Sequence, residues 1–193
     1  MSTAEETKIK LFDKYTFDNV EVYSKSLQAA ISIKPIFVPH SAGRHEHWKF
    51  AKNKVNVIER LINHIALTPK AGGKKYKAIN AVKAAFELIN HKTGKNPILV
   101  FIKAIENAAP REDTTRISYG GILYYQSVDI SPTRRVDLAI RNIVIGARNN
   151  SFKSPRPFHE ALADEIIDAS ENNPKSYAIA KRQELEKHAE ASR

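Results

Sequence analysis

The residues most able to do chemistry are arginines on a regular spacing. Arg134, Arg141 and Arg148 recur every seven residues. On a helix of 3.6 residues per turn, three such positions stay within about 40° of one another and form one ridge. Between Arg134 and Arg156 there are six basic residues, with Arg135 and Lys153 among them, against the single acid Asp137. Guanidinium groups offer planar, forked donors suited to phosphate oxygens and stacked bases, so the ridge reads as a backbone-binding surface for RNA or DNA. The alternative is a solvated face balanced by acids from elsewhere. Against it, residues 158 to 173 carry Glu160, Asp164, Glu165, Asp168 and Glu171 with no Lys or Arg. Charge is thus segregated along the chain, and that acidic helix is expected to face away from nucleic acid.

A second basic cluster comprises Lys70, Lys74, Lys75, Lys77 and Lys83, in a window from Ala66 to Phe86 that contains no acid. Gly72 and Gly73 leave backbone amides open to phosphate, which makes a clamp plausible beside the simpler reading of a solvated loop. A nucleotide-binding loop fits poorly, because the spaced first glycine is missing and Lys75 stands where Ser or Thr would hold magnesium. A third candidate is Arg116 with Tyr119, Gly120, Gly121, Tyr124 and Tyr125, where tyrosines near a glycine turn either stack on unpaired bases or pack against helices. His40, His45 and His47 lack a fourth ligand of comparable quality nearby, so no metal is expected there. No cofactor is implied, and no nucleophile, base and orienting group fall into a known catalytic pattern.

The whole composition agrees with a polyanion partner. The 193 residues include 31 Lys and Arg and 21 Asp and Glu, for a net charge of +10. A field of that sign draws nucleic acid or an anionic surface. The longest apolar runs, such as Ile98 to Ile102, fall far short of the roughly 18 residues of a membrane span. The polar start and the absence of cysteine point to a cytoplasmic protein without disulfides or a zinc ribbon.

The elements that must position these residues are mostly helical. Ile58, Leu61, Ile62 and Ile65 predict a helix from about Asn53 to Leu67, stopped by Thr68-Pro69. Ala78, Ala81, Val82, Ala85, Phe86 and Ile89 predict another over residues 74 to 92, ended by Gly94. Asn96-Pro97 and Ser131-Pro132 each place a capping residue before a first-turn proline, opening helices with buried faces at Phe101, Ile102 and Ile105 and at Val136, Ile140, Ile143 and Val144. Phe158, Leu162 and Ile166 mark a further helix up to Asn172-Asn173-Pro174, and Ser176 caps a last one to about Ala191. From Thr114 to Ile130 the strand formers flank Gly120-Gly121, which predicts a two-stranded hairpin. An isolated hairpin is barely stable, so this one is expected to pack on helices or on a partner. Near the start, Asn19 to Ser24 alternates as a short strand or an extended arm, and Lys34 to Trp48 reads as a docking loop. The expected architecture is mainly α: a bundle of about six helices with one protruding β-hairpin and an extended N-terminal arm. The division is an arm over 1–52 and a helical RNA-binding domain over 53–193, with the hairpin at about 114–131.

The run Pro110-Arg111-Glu112-Asp113-Thr114-Thr115-Arg116-Ile117, then Tyr119-Gly120-Gly121, then Val128-Asp129-Ile130-Ser131-Pro132-Thr133-Arg134-Arg135-Val136, resembles the signature of the small-subunit ribosomal protein seven family. Gly72-Gly73-Lys74-Lys75 and His91-Lys92-Thr93-Gly94-Lys95-Asn96-Pro97 resemble it in the same order, so the likeness covers about residues 54 to 193. Ser26-Leu27-Gln28 and Pro39-His40-Ser41-Ala42-Gly43-Arg44 resemble the extension of its archaeal and eukaryotic branch. The resemblance implies a helical bundle with a protruding hairpin that binds the 3′ major domain of small-subunit rRNA and starts assembly of the subunit head. It places the hairpin near exit-site tRNA, mRNA and the subunit interface, with neighbouring head and platform proteins as partners. It implies neither an enzyme nor a small-molecule ligand. One departure is that Ser118, Leu123 and Tyr125 dilute the arginine-rich tip of bacterial members. The rRNA contacts expected are Lys70, Lys74, Lys75, Lys77, Arg134, Arg135, Arg141 and Arg148, mainly to phosphates, with Arg116 and the hairpin turn Tyr119, Gly120 and Gly121 secondary. A helical DNA-binding regulator and an enzyme acting on RNA are the competing readings.

Overall fold

The computed structural model describes residues 9–43, 45–67 and 71–193. Among them are six longer helices: α2 (Val57–Ala66), α3 (Lys75–Thr93), α4 (Pro97–Ala108), α5 (Pro132–Ser151), α6 (Phe158–Ser170) and α7 (Tyr177–Ala191). They follow a single-turn α1 (Lys25–Gln28) and two short 3₁₀ turns at His45–His47 and Ala51–Lys54. The antiparallel strands β1 (Glu112–Tyr119) and β2 (Ile122–Asp129) stand between α4 and α5. This is the expected helical bundle with one hairpin.

The helix boundaries follow local hydrogen-bonding chemistry. The Asn56 side chain accepts from the Ile58 amide at 2.8 Å and starts α2. The helix therefore begins later than the predicted Asn53, whose neighbourhood forms a 3₁₀ turn instead. Asn96 caps α4 in the same way, and Ser176 caps α7 through the Ile179 amide. Gly94 closes α3 at φ 64°, donating its N–H to Asn90. Ser131 departs from expectation: Pro132 opens α5, but the serine hydroxyl makes no capping bond. Predicted stop Thr68-Pro69 lies outside the described residues.

Helix α6 runs through the middle of the bundle, packing on α3, α4 and α5. Its small residues Ala161, Ala163 and Ala169 are buried with Leu162 and Ile166, which lets neighbouring helices approach closely. Phe86 of α3 and Phe101 of α4 are fully buried with ring centroids 6.2 Å apart, and Tyr15 meets Phe86 edge-on at 6.4 Å. Each such ring contributes about 2–3 kcal/mol by leaving water. The N-terminal residues share this core: Leu11, Phe12, Tyr15, Leu27, Ala30 and Ile31 all belong to the same buried cluster. Asn19 to Ser24 form no strand: Asn19 stands in a turn at φ 59°, and the residues after it have no regular structure up to α1. Among the described residues no strand edge lies alongside this segment, and the nearby ladder contacts are isolated bridges at Leu11–Tyr15 and Ser32–Asn56.

The hairpin turn uses both glycines at positive φ, 57° for Gly120 and 83° for Gly121, which matches the right-handed strand twist. Its base is held by α7: Ser127 N–H donates to the Ser192 carbonyl at 3.2 Å, and Arg193 pairs with Glu112. Its far end stands clear of the helices, with Tyr119 80% exposed. The helices therefore support the hairpin at one end only.

Candidate nucleic-acid interface

The seven-residue spacing does what the helical period requires. Arg134, Arg141 and Arg148 all project into solvent from α5, while Val136, Ala139, Ile140, Ile143 and Ala147 of the same helix are buried. The three arginines line one wall of an open groove of about 1080 Å³. The facing wall is built by α2, through Arg60, Asn63, His64 and Leu67, and by the segment carrying His45, Lys49, Phe50, Lys52 and Val55. Among the described residues, six Lys and Arg thus line the groove against one carboxylate, Asp137. None of the lining residues comes from the acidic helix α6. Two acids of α6 are answered locally: Asp164 pairs with Lys92 and Arg156, while Glu165 is buried and accepts from Ser176 and the Ala178 amide.

Asp137 is the hinge of the groove's electrostatics. Lys52 Nζ donates to it at 2.6 Å, Arg60 Nη2 at 2.7 Å, and His64 Nε2 lies 3.9 Å away. Burial alone would raise its pKa, but His64, Lys52 and Arg60 outweigh that and hold the carboxyl well below the usual range. The one negative charge on the basic helix is therefore consumed within the protein. Arg60, itself 5% exposed, donates its other terminal nitrogen to the Ala30 carbonyl at 2.8 Å, so one guanidinium joins the arm, α2 and α5. Asn53 Nδ2 donates to Thr133 Oγ1 at 2.9 Å and fixes the same segment to the start of α5.

Arg135 points elsewhere. Its Nε donates to the Pro110 carbonyl at 2.9 Å and Nη1 to Ser26 Oγ at 2.8 Å, with burial and then Arg111 lowering its pKa. It fastens the hairpin's entry and α1 to α5, one position off the ridge. Arg134 remains largely exposed and reaches Asp113 at 3.7 Å.

The lysine cluster divides similarly. Lys75 Nζ donates at 2.7 Å to the buried carboxylate of Glu59, which also accepts the Ser41 amide and hydroxyl, each at 3.0 Å. Burial works against the charged form of Glu59, yet these donors bring its pKa below the ordinary value. Lys75 thereby joins α3 to α2 and to the arm. Lys74 and Lys77 are exposed at the start of α3, beside Gly73 at φ 73°. Lys70 lies outside the described residues. Leu67 lines the groove, and Lys74 follows seven residues later in the chain. On the hairpin, Arg116 lies opposite Tyr125 and its guanidinium sits 5.4 Å from that ring's centroid. Tyr119, Gly120 and Gly121 form the exposed tip. The structure thus gathers Arg134, Arg141 and Arg148 in one groove and keeps Arg116 and the tip on a separate projection.

Sequence reasoning missed Lys49, Lys52, Arg60 and His64 as groove residues, because they come from a different part of the chain. A signal was present: Asp137 is the lone acid of a basic helix, and a lone acid there calls for a cation from another element.

A profile described as "Ribosomal protein S7p/S5e" matches residues 27–193. The chain is 46% identical to the small ribosomal subunit protein uS7 of Nanoarchaeum equitans, over 96% of this chain and 100% of that one. It is 46% identical to the protein of the same name from Picrophilus torridus, covering 95% and 98% of the two chains. For the Archaeoglobus fulgidus protein the identity is 47%, covering 96% of each. A mainly helical bundle with a projecting hairpin, a basic groove, and likeness over nearly the whole length to three archaeal proteins lead to one assignment: the chain belongs to the ribosomal protein S7p/S5e family.

Proposed function

We propose that this protein is a structural constituent of the small ribosomal subunit in the cytoplasm, a primary rRNA-binding protein whose basic groove grips the 3′ major domain and nucleates assembly of the subunit head. The observation that carries this reading is the ridge of Arg134, Arg141 and Arg148 on one wall of a groove in which the only carboxylate among the described residues, Asp137, is neutralised internally. Lys74 and Lys77, exposed at the start of α3, add to the phosphate-binding surface, and the sequence assigns Lys70 the same role. Lys75 and Arg135 serve it from behind, by holding α3 and α5 in place. Such an array recognises a folded RNA junction by backbone shape more than by base sequence. The hairpin, with Arg116 and the Tyr119, Gly120 and Gly121 tip, extends away from the groove toward exit-site tRNA and the mRNA path. Surfaces not facing RNA meet neighbouring proteins of the head and platform.

The test is binding to a 3′ major-domain rRNA fragment across a salt series, beside an equal-length duplex DNA and an Arg134→Glu, Arg141→Glu variant. Both side chains are exposed, so the variant is expected to keep the wild-type circular dichroism spectrum. Specific recognition predicts rRNA binding that persists at salt concentrations where DNA binding is lost, and that collapses in the variant. Equal affinity for both nucleic acids would replace the ribosomal reading with that of a DNA-binding regulator.

A further inference from the structure

We infer that Trp48 and Phe50 form a base-stacking platform on the rim of the basic groove, which takes an unpaired RNA base while the neighbouring cations hold its phosphate. The inference rests on the RNA-binding reading of the groove and adds a subsite to it.

Trp48 is 78% exposed and Phe50 is 68% exposed. Folding gains little from leaving two large rings in water, so neither is explained by the core. Phe50 is also held at φ 59° and ψ 7°, a left-handed conformation that is unfavourable for a bulky side chain. The surrounding backbone enforces it. The Ala51 amide donates to the Trp48 carbonyl at 3.1 Å, and the Asn53 amide to the Phe50 carbonyl at 3.0 Å. Lys52 and Asn53, immediately downstream, are tied to Asp137 and Thr133 of the ridge helix. The aromatic pair is therefore mounted on a segment fixed to α5, and Lys49 and Phe50 line the same groove as the arginines. Aromatic faces flanked by Lys, beside an arginine ridge, match a nucleotide whose base lies on a ring and whose phosphate meets the cations. A protein partner would have to bring separate carboxylates to answer the positive lining, whereas a nucleotide carries a flat base and a negative charge together. Duplex RNA would hide the base faces the rings need.

Trp48 is the only tryptophan in the chain, so its fluorescence reports this site alone. The experiment titrates wild-type protein with the 3′ major-domain rRNA fragment, following Trp48 emission and, separately, the anisotropy of end-labelled RNA. Trp48→Ala and Trp48→Phe variants are measured by anisotropy, with urea unfolding as the check on folding. The expected result is quenching that tracks binding, an affinity loss of about 5- to 100-fold for Trp48→Ala, recovery of most of it in Trp48→Phe, and unchanged stability. RNA binding with unaltered Trp48 emission and full affinity in Trp48→Ala would overturn the platform and leave the groove reading intact. Absence of rRNA binding by the wild type would overturn both.

Discussion

Replacing Asp137 with Asn tests whether the groove is built around one internal ion-pair hub. The substitution keeps the side chain's size but removes the charge that answers Arg60 and Lys52 at 2.7 and 2.6 Å. Arg60 is nearly inaccessible to solvent and cannot turn outward, since its other terminal nitrogen is committed to the Ala30 carbonyl. Breaking a fully buried pair costs about 3–5 kcal/mol, because an uncompensated charge remains inside. Asp137 is 25% exposed, so water recovers part of this, and a loss of about 2–4 kcal/mol is expected. For a chain of this size that lowers Tm by roughly 5–15 °C. The assay is urea unfolding at pH 7, followed by circular dichroism, of wild type, Asp137→Asn, Arg60→Met and the double variant. The two losses should be less than additive by at least about 1 kcal/mol. The pH dependence gives a second check. The folded carboxyl is depressed below the ordinary value of 3.8, so its contribution is complete above that pH and disappears as pH falls through the folded value. The stabilities of wild type and Asp137→Asn should therefore converge under acid. A loss below about 0.5 kcal/mol at pH 7, or additive losses, would refute the hub.

Two further outcomes follow from the way α5, α6 and α7 meet. A Cβ at Gly146 would stand 2.8 Å from Glu165 Cδ and 2.8 Å from Tyr177 Cβ, so Gly146→Ala is expected to cost about 1–3 kcal/mol in urea unfolding despite alanine's better helix propensity; equal or greater stability would show that the helices separate freely. Glu165 has its pKa raised by burial, in spite of bonds from Ser176 and Ala178. Its contribution is thus full below the unfolded value near 4.5 and declines as pH rises through the folded value. The stability of Glu165→Gln relative to wild type should increase from pH 4 to pH 7, and a flat difference would contradict it.

Much of this protein was legible in one dimension. Helix periods, the Asn96-Pro97 and Ser131-Pro132 openings and the Gly120-Gly121 turn are local signals, since they express backbone hydrogen bonding and φ preferences within a few residues. The arginine ridge is local as well, because a seven-residue spacing on a helix determines a common face. Which cations remain available to a ligand is another matter. Arg134 and Arg135 are adjacent and chemically identical, yet one faces the groove and the other is spent on Pro110 and Ser26. Lys75 and Lys77 differ in the same way through Glu59. The groove itself exists only because α2 and the residues around Trp48 lie against α5, more than 60 positions away in the chain. Composition and spacing determined that the surface would be basic and where its helices would run. Only the tertiary structure decided which charges meet inside the protein, because an ion pair depends on a few ångströms of separation that no pattern along the chain specifies.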